Sequence, residues 1–128
     1  MLQCILSKID EFEDMTNHYQ LQFGIDGIPL TKGSRSELWP ILMKIKSFPL
    51  VLPVTVYHGT GKPKNVHDYM KDFITELDLV LRDGISYSDK QITFSVCSFV
   101  MDAPAKSYVM SIKACTQYKQ NVRLFNTF

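Results

Sequence analysis

No stretch of this chain approaches the ~20 consecutive apolar residues of a bilayer-spanning helix, and Met1 is not followed by a basic segment leading into an apolar one. The expectation is a soluble, intracellular protein with no membrane partner. Cysteine is scarce. Cys4, Cys97 and Cys115 are odd in number and nowhere spaced Cys-x-x-Cys, which excludes a disulfide framework and fits a reducing compartment. No His-and-acid set accompanies Ser98, Ser107 or Cys115, so nucleophilic hydrolase chemistry has no support. The segment His58-Gly59-Thr60-Gly61-Lys62-Pro63 lacks the spacing and the Ser/Thr after Lys of a phosphate-binding loop, and Pro63 removes a backbone donor. Negative charge is missing from the C-terminal part: all 13 Asp+Glu lie at or before Asp102, while Lys106, Lys113, Lys119 and Arg123 follow it. The net charge of +1 hides a wholly basic tail, which suits either phosphate or an ordinary solvated face.

What is present suffices for one domain. The 128 residues are 45% hydrophobic and 12% aromatic, enough for a sizeable core and too much for a disordered chain. Residues 2–18 place Ile5, Ile9, Phe12 and Met15 at helical spacing with acidic residues between, as an amphipathic helix or an arm. Residues 19–25 alternate apolar and polar side chains as a strand does, running into Asp26. The polar cluster at residues 31–36 reads as a turn, and residues 38–45 as a second strand whose weak point is Pro40, which has no ladder donor. Pairing there is expected to begin near Ile41 or to carry a bulge. Residues 50–57 form a β-branched third strand ending in the His58-Gly59 loop. The period then changes: Asn65 caps a helix with Val66, Tyr69, Met70, Phe73, Leu77 and Val80 or Leu81 on its apolar face, and Arg82 and Gly84 at its end. Residues 91–100 alternate again as a fourth strand reaching Asp102. Pro104 suits the first turn of a last helix with Tyr108, Val109, Ile112 and Cys115 inward.

The order is strand, strand, strand, helix, strand, helix. A hairpin-linked trio followed by a right-handed helical crossover to a parallel strand is the order of the ribonuclease H-like fold, an α/β mixed sheet. In it the first and fourth strands are neighbours, so Asp26 and Asp102 become adjacent although 76 positions separate them. Charge on a core strand calls for a partner, water or a metal. Plainer roles compete: Asp26-Gly27 is a common turn dipeptide, Asp102 suits the N-cap of the last helix, and Asp72 and Glu76 suit a solvated helix face. His18 and His67 read as surface residues and Cys97 as a packed thiol.

The blocks Ile25-Asp26-Gly27-Ile28-Pro29-Leu30, Ser34 to Trp39-Pro40-Ile41-Leu42, Tyr57-His58-Gly59 with Lys62-Pro63-Lys64, Asp72-Phe73 with Glu76-Leu77, and Asp102-Ala103-Pro104-Ala105-Lys106 occur in this order. Together they resemble the catalytic core of CACTA-type and related eukaryotic DNA transposases over residues 19–113. The resemblance implies a ribonuclease H-like core with a DDE or DDD triad, in which Asp26 and Asp102 match the first two acids and hold Mg²⁺ or Mn²⁺ for DNA phosphodiester cleavage and strand transfer. It also implies DNA as partner, a nuclear location, a role in DNA recombination by a transposable element, and no small-molecule cofactor. Lys62, Lys64 and Lys106 are the candidate contacts to DNA backbone.

Two departures stand against activity. No acid follows Asp102, and after Lys113 the His and Cys-x-x-Cys zinc motif to which the family tends is replaced by Cys115 and Tyr118 with no later Cys or His. Two dications ~4 Å apart repel by roughly 17 kcal/mol at an effective dielectric of ~20, and two carboxylates offset only half of that charge. The expected organisation is an arm at residues 1–18, a core fragment at 19–115 that is incomplete at its C-terminal end, and a basic tail at 116–128 in which residues 122–128 do not by themselves define a strand. The expected state is a truncated or decayed transposase core without turnover, or a non-catalytic DNA- or protein-interaction module captured from one.

Overall fold

The structure, a computed structural model, describes residues 1–8 and 17–110. Its elements are α1 (Leu2–Lys8), β1 (His18–Ile25), β2 (Ile28–Pro29), β3 (Ser36–Ile45), β4 (Val51–Thr60), α2 (Val66–Asp83), β5 (Ile85–Tyr87), β6 (Lys90–Met101) and α3 (Ala103–Met110). The chain is a mixed α/β protein. β3 is antiparallel to β1, β2 and β4, β5 is antiparallel to β6, and β1 and β6 run parallel, with α2 in the connection that leads from β4 to β5 and β6.

Alternation decides which face of the sheet is dry. Tyr19, Leu21, Phe23 and Ile25 of β1 are buried together with Trp39, Ile41, Met43 and Ile45 of β3 and Ile92, Phe94, Val96 and Phe99 of β6. α2 lays Met70, Phe73, Leu77 and Val80 on this face, at helical spacing. Phe23 is the centre of the seam, with its ring 5.1 Å from that of Phe73, edge-on, and 5.3 Å from that of Phe99, stacked. α2 starts and stops where its caps say: the Asn65 side chain accepts from the backbone of His67 and Asp68, and Gly84 closes the end at φ 64°, returning its N–H to the Val80 carbonyl.

Four features differ from the expected boundaries, each for a local reason. β4 continues through His58 and Gly59 to Thr60, and the turn begins at Gly61, at φ 77°. β3 pairs from Ser36 onward, straight through Pro40. The Gly61 N–H donates to the Arg35 carbonyl at 2.8 Å, and the bonded pairs of an antiparallel ladder recur every second residue, so position 40 directs its N–H away from β4. On its other side the β1 ladder stops at Ile25 opposite Ile41 and the β2 ladder resumes at Ile28 opposite Leu38. Pro40 therefore faces a gap in the pairing, and the expected bulge falls on β4 instead, where the register shifts between Ile41 and Leu42. The third difference is a hairpin before β6, whose turn residues Ser88 and Asp89 both have positive φ, 47° and 64°, as a tight two-residue hairpin turn requires. The fourth is a bulge in β6: Leu21 is opposite Val96 but Gln22 is opposite Ser98, leaving Cys97 as the extra residue. Of the last helix, Ala105 and Val109 are buried and Tyr108 partly so; Ile112, Cys115 and the tail lie outside the described residues, as do Ile9, Phe12 and Met15.

Phe23→Ala is expected to lower unfolding free energy in urea by about 3–5 kcal/mol. Gly84→Ala should cost more than about 1 kcal/mol, since its Cβ would lie 2.3 Å from the Ile92 carbonyl oxygen in a left-handed conformation.

Candidate functional site

The parallel register of β1 and β6 ends with Ile25 opposite Met101. Asp26 and Asp102 are the next residues on strands spaced about 4.8 Å apart. The Cys97 bulge decides on which face they emerge. Continued without a break, the alternation of Ile92, Phe94 and Val96 would put position 102 on the dry face; the inserted residue shifts the phase, so that Phe99 faces Phe23 in the core and Asp102 falls in phase with Val100. Asp26 falls in phase with Gly24, the partner of Val100. Both aspartates are exposed.

Each carboxylate is held locally. Asp26 Oδ1 accepts the Gly27 N–H at 2.8 Å, and Asp102 Oδ1 accepts the Ala105 N–H at 2.8 Å as the N-cap of α3. The capping role thus exists beside any other. The break opposite Pro40 frees Asp26 and Gly27 from strand pairing, and Gly27 is small because Trp39 lies against it: a Cβ there would be 2.7 Å from the indole ring.

An aromatic bracket that the sequence reading did not single out holds this corner. Trp39 donates its indole N–H to Glu37 Oε2 at 2.8 Å and lies 5.3 Å from Tyr108 on α3. Tyr69 of α2 donates its hydroxyl to the Trp39 carbonyl at 3.1 Å, and Tyr108 donates to the Pro63 carbonyl. Burial, with Tyr108 nearby, pushes the Tyr69 phenol well above its ordinary range, and burial beside Tyr57 raises that of Tyr108. Both stay neutral donors that pin α3, and with it Asp102, against α2 and β3. Spacing along the chain puts Tyr69 and Tyr108 on helix faces and Trp39 on a strand; that they meet is a tertiary fact.

The three lysines gather around α3. Lys62 Nζ is 5.2 Å from the Tyr108 ring centroid, a cation–π contact. Lys64 is exposed beside the buried Pro63, and Lys106 is half-buried within α3, its N–H on the Asp102 carbonyl at 2.9 Å. Glu76 is engaged elsewhere, accepting the Met1 ammonium at 2.8 Å, and Asp72 is exposed on α2. His18, read as a surface residue, is exposed yet bridges Thr93 Oγ1 and Ser95 Oγ at 2.7 and 2.9 Å, and His58 meets Ser36 Oγ at 2.8 Å. Among the described residues no group of three or more His, Cys, Asp or Glu side chains is placed to hold a metal ion. None of the described helices is long and apolar enough to cross a membrane.

Comparison of the chain with family models, with curated proteins and with solved structures returns no match.

Replacing Asp102 weighs its capping role. Asp102→Ala is expected to lower stability by about 1 kcal/mol through loss of the cap, and Asp102→Asn by less than ~0.5 kcal/mol, because asparagine caps as well as aspartate does; urea unfolding of both variants reads the difference.

Proposed function

We propose that this chain is a transposase-derived domain of ribonuclease H-like topology that binds DNA and does not cleave it unaided. The observation that supports the reading most is the parallel pairing of β1 with β6, which ends with Ile25 opposite Met101, so that the next residues, Asp26 and Asp102, follow neighbouring strand ends. The strand order supports it too: β4, β3, β1 and β6 succeed one another, three antiparallel and the fourth parallel across a helical crossover.

The two carboxylates suit one Mg²⁺ or Mn²⁺. Each has one oxygen engaged by a backbone N–H, leaving Asp26 Oδ2 and Asp102 Oδ2 as hard, anionic ligands of the kind these ions take. Such an ion supplies charge stabilisation at a phosphate oxygen. A second dication has no third carboxylate among the described residues to offset it. The domain's own residues bind and orient: Lys62, Lys64 and Lys106 present cations around α3 to sugar-phosphate backbone, which needs only positive charge and reach. A nuclear setting follows from this reading and from nothing else.

The favoured state is therefore a non-catalytic DNA-binding module retaining two thirds of an acidic triad. The test is a hairpin or nicked DNA substrate with a Mn²⁺ titration. Binding is expected to weaken with salt and to fall when Lys62 and Lys64 are both changed to Glu, with no cleavage at any Mn²⁺ concentration. Cleavage that Asp26→Asn abolishes would restore the enzyme reading; absence of DNA binding at ~50 mM salt would remove the transposase reading's partner.

A further inference from the structure

The Gly24 face of the sheet, opposite the α2 core, is covered by none of the helices among the described residues. At its centre the missing side chain of Gly24 leaves a dimple of about 160 Å³ walled by Leu42, Val51 and Val100, with Gln22 and Lys44 at the margin. Val100 is 54% exposed and Val51 50%, and Val56 on the same outer strand as Val51 is 51% exposed. Half-exposed β-branched residues around one hollow are an unusual surface for a solvated sheet face, whose outward positions are ordinarily polar.

The charges around the dimple are sorted by end. β1 runs from His18 to Ile25, so Asp26, and Asp102 beside it, lie at one end of the face. Lys44, opposite Gln22, and Lys46, whose Nζ donates to Gln20 Oε1 at 3.2 Å, lie at the other. Among the described residues none of these four is in an ion pair. An apolar centre with carboxylates at one end and ammonium groups at the other is complementary to itself when turned by half a rotation.

We infer that a second copy of this chain packs on this face, about a two-fold axis that lays one Gly24 dimple over the other. The axis lies between the two sheets and across the strands, so the lysine end of each copy meets the aspartate end of the other. This is the isologous contact of a two-fold dimer, in the face-to-face geometry of packed sheets about 10 Å apart. Four strands of roughly eight residues cover about 500 Å² of flat face, so two copies bury on the order of 1,000 Å² before side-chain relief, the lower bound of a specific interface. A reversible, weak dimer fits that area. The apolar centre of the face, walled by Leu42, Val51 and Val100, offers a phosphate backbone no contact, and a partner with one sign of charge would match only one end. The inference does not rest on the nuclease reading: oligomeric state and DNA or metal binding are separate measurements.

Sedimentation equilibrium of the full 128-residue chain between about 10 μM and 1 mM tests it. A reversible monomer–dimer equilibrium is expected. Val100→Asp should weaken it about 100-fold, with an unchanged circular dichroism spectrum, since an exposed position is altered. Lys44→Glu with Lys46→Glu should weaken it about 10-fold, and adding Asp26→Lys to that variant should recover most of the loss. A chain that stays monomeric to 1 mM overturns the inference. So does a dimer that survives both Val100→Asp and Val51→Asp, which would move the contact to another surface such as the β4 edge. Charge reversal that Asp26→Lys fails to repair overturns the two-fold arrangement.

Discussion

The parallel pairing of β1 with β6, and the one-residue bulge inside it, is the constraint on which the rest of the molecule hangs. Cys97 has no partner of its own opposite β1, so the two strands change phase between Leu21 and Gln22. On the core side that slip keeps aromatic rings in contact: Phe23 remains beside Phe99 and both beside Phe73, a cluster in which each ring pair adds about 0.5–1.5 kcal/mol beyond its burial. On the open side the same slip turns Asp102 outward, in phase with Asp26. One inserted residue thus serves packing and site together. The pattern is common for bulges, which re-aim side chains at the ends of strands.

A second local device prepares the site from β3. Pro40 has no N–H to offer, and it stands where β1 has ended and β2 has not begun. The gap lets Asp26 and Gly27 leave the ladder. Trp39, next to the proline, fills the space that Gly27 vacates and ties this corner through Tyr108 to α3, the helix that Asp102 caps. The two aspartates are thereby joined twice, through neighbouring strands and through one aromatic bracket. Neither is buried, so holding them near each other carries little desolvation cost.

Much of this was legible in the residues because it is local. Asn65, Arg82 and Gly84 bound α2 where they stand, and the alternation of residues 19–25 defines β1 and its buried face. That the strands leading to Asp26 and Asp102 are neighbours was expected from the ribonuclease H-like arrangement that the element order suggests, and β1 does pair with β6. What escaped was non-local or without a glycine signal. The hairpin at Ser88 and Asp89 places two ordinary residues at positive φ where Asn-Gly would have announced a turn. The strand through Pro40 depends on which neighbours lie on each side of β3, and the bulge at Cys97 depends on the register with a strand more than seventy residues away. The aromatic bracket draws on β3, α2 and α3, whose meeting no spacing rule encodes. For the candidate site, the two carboxylates and the lysines around α3 were visible as residue types, because side-chain charge is read directly from the sequence.

The most direct measurement is paramagnetic broadening of backbone amide resonances by substoichiometric Mn²⁺. The account predicts selective loss of the Gly27 and Ala103 signals, next to the two aspartates, and their return in Asp26→Asn and in Asp102→Asn. Broadening centred instead on the acidic face of α2 around Asp68 and Asp72, or unchanged by either substitution, would contradict a shared ion site at the ends of β1 and β6.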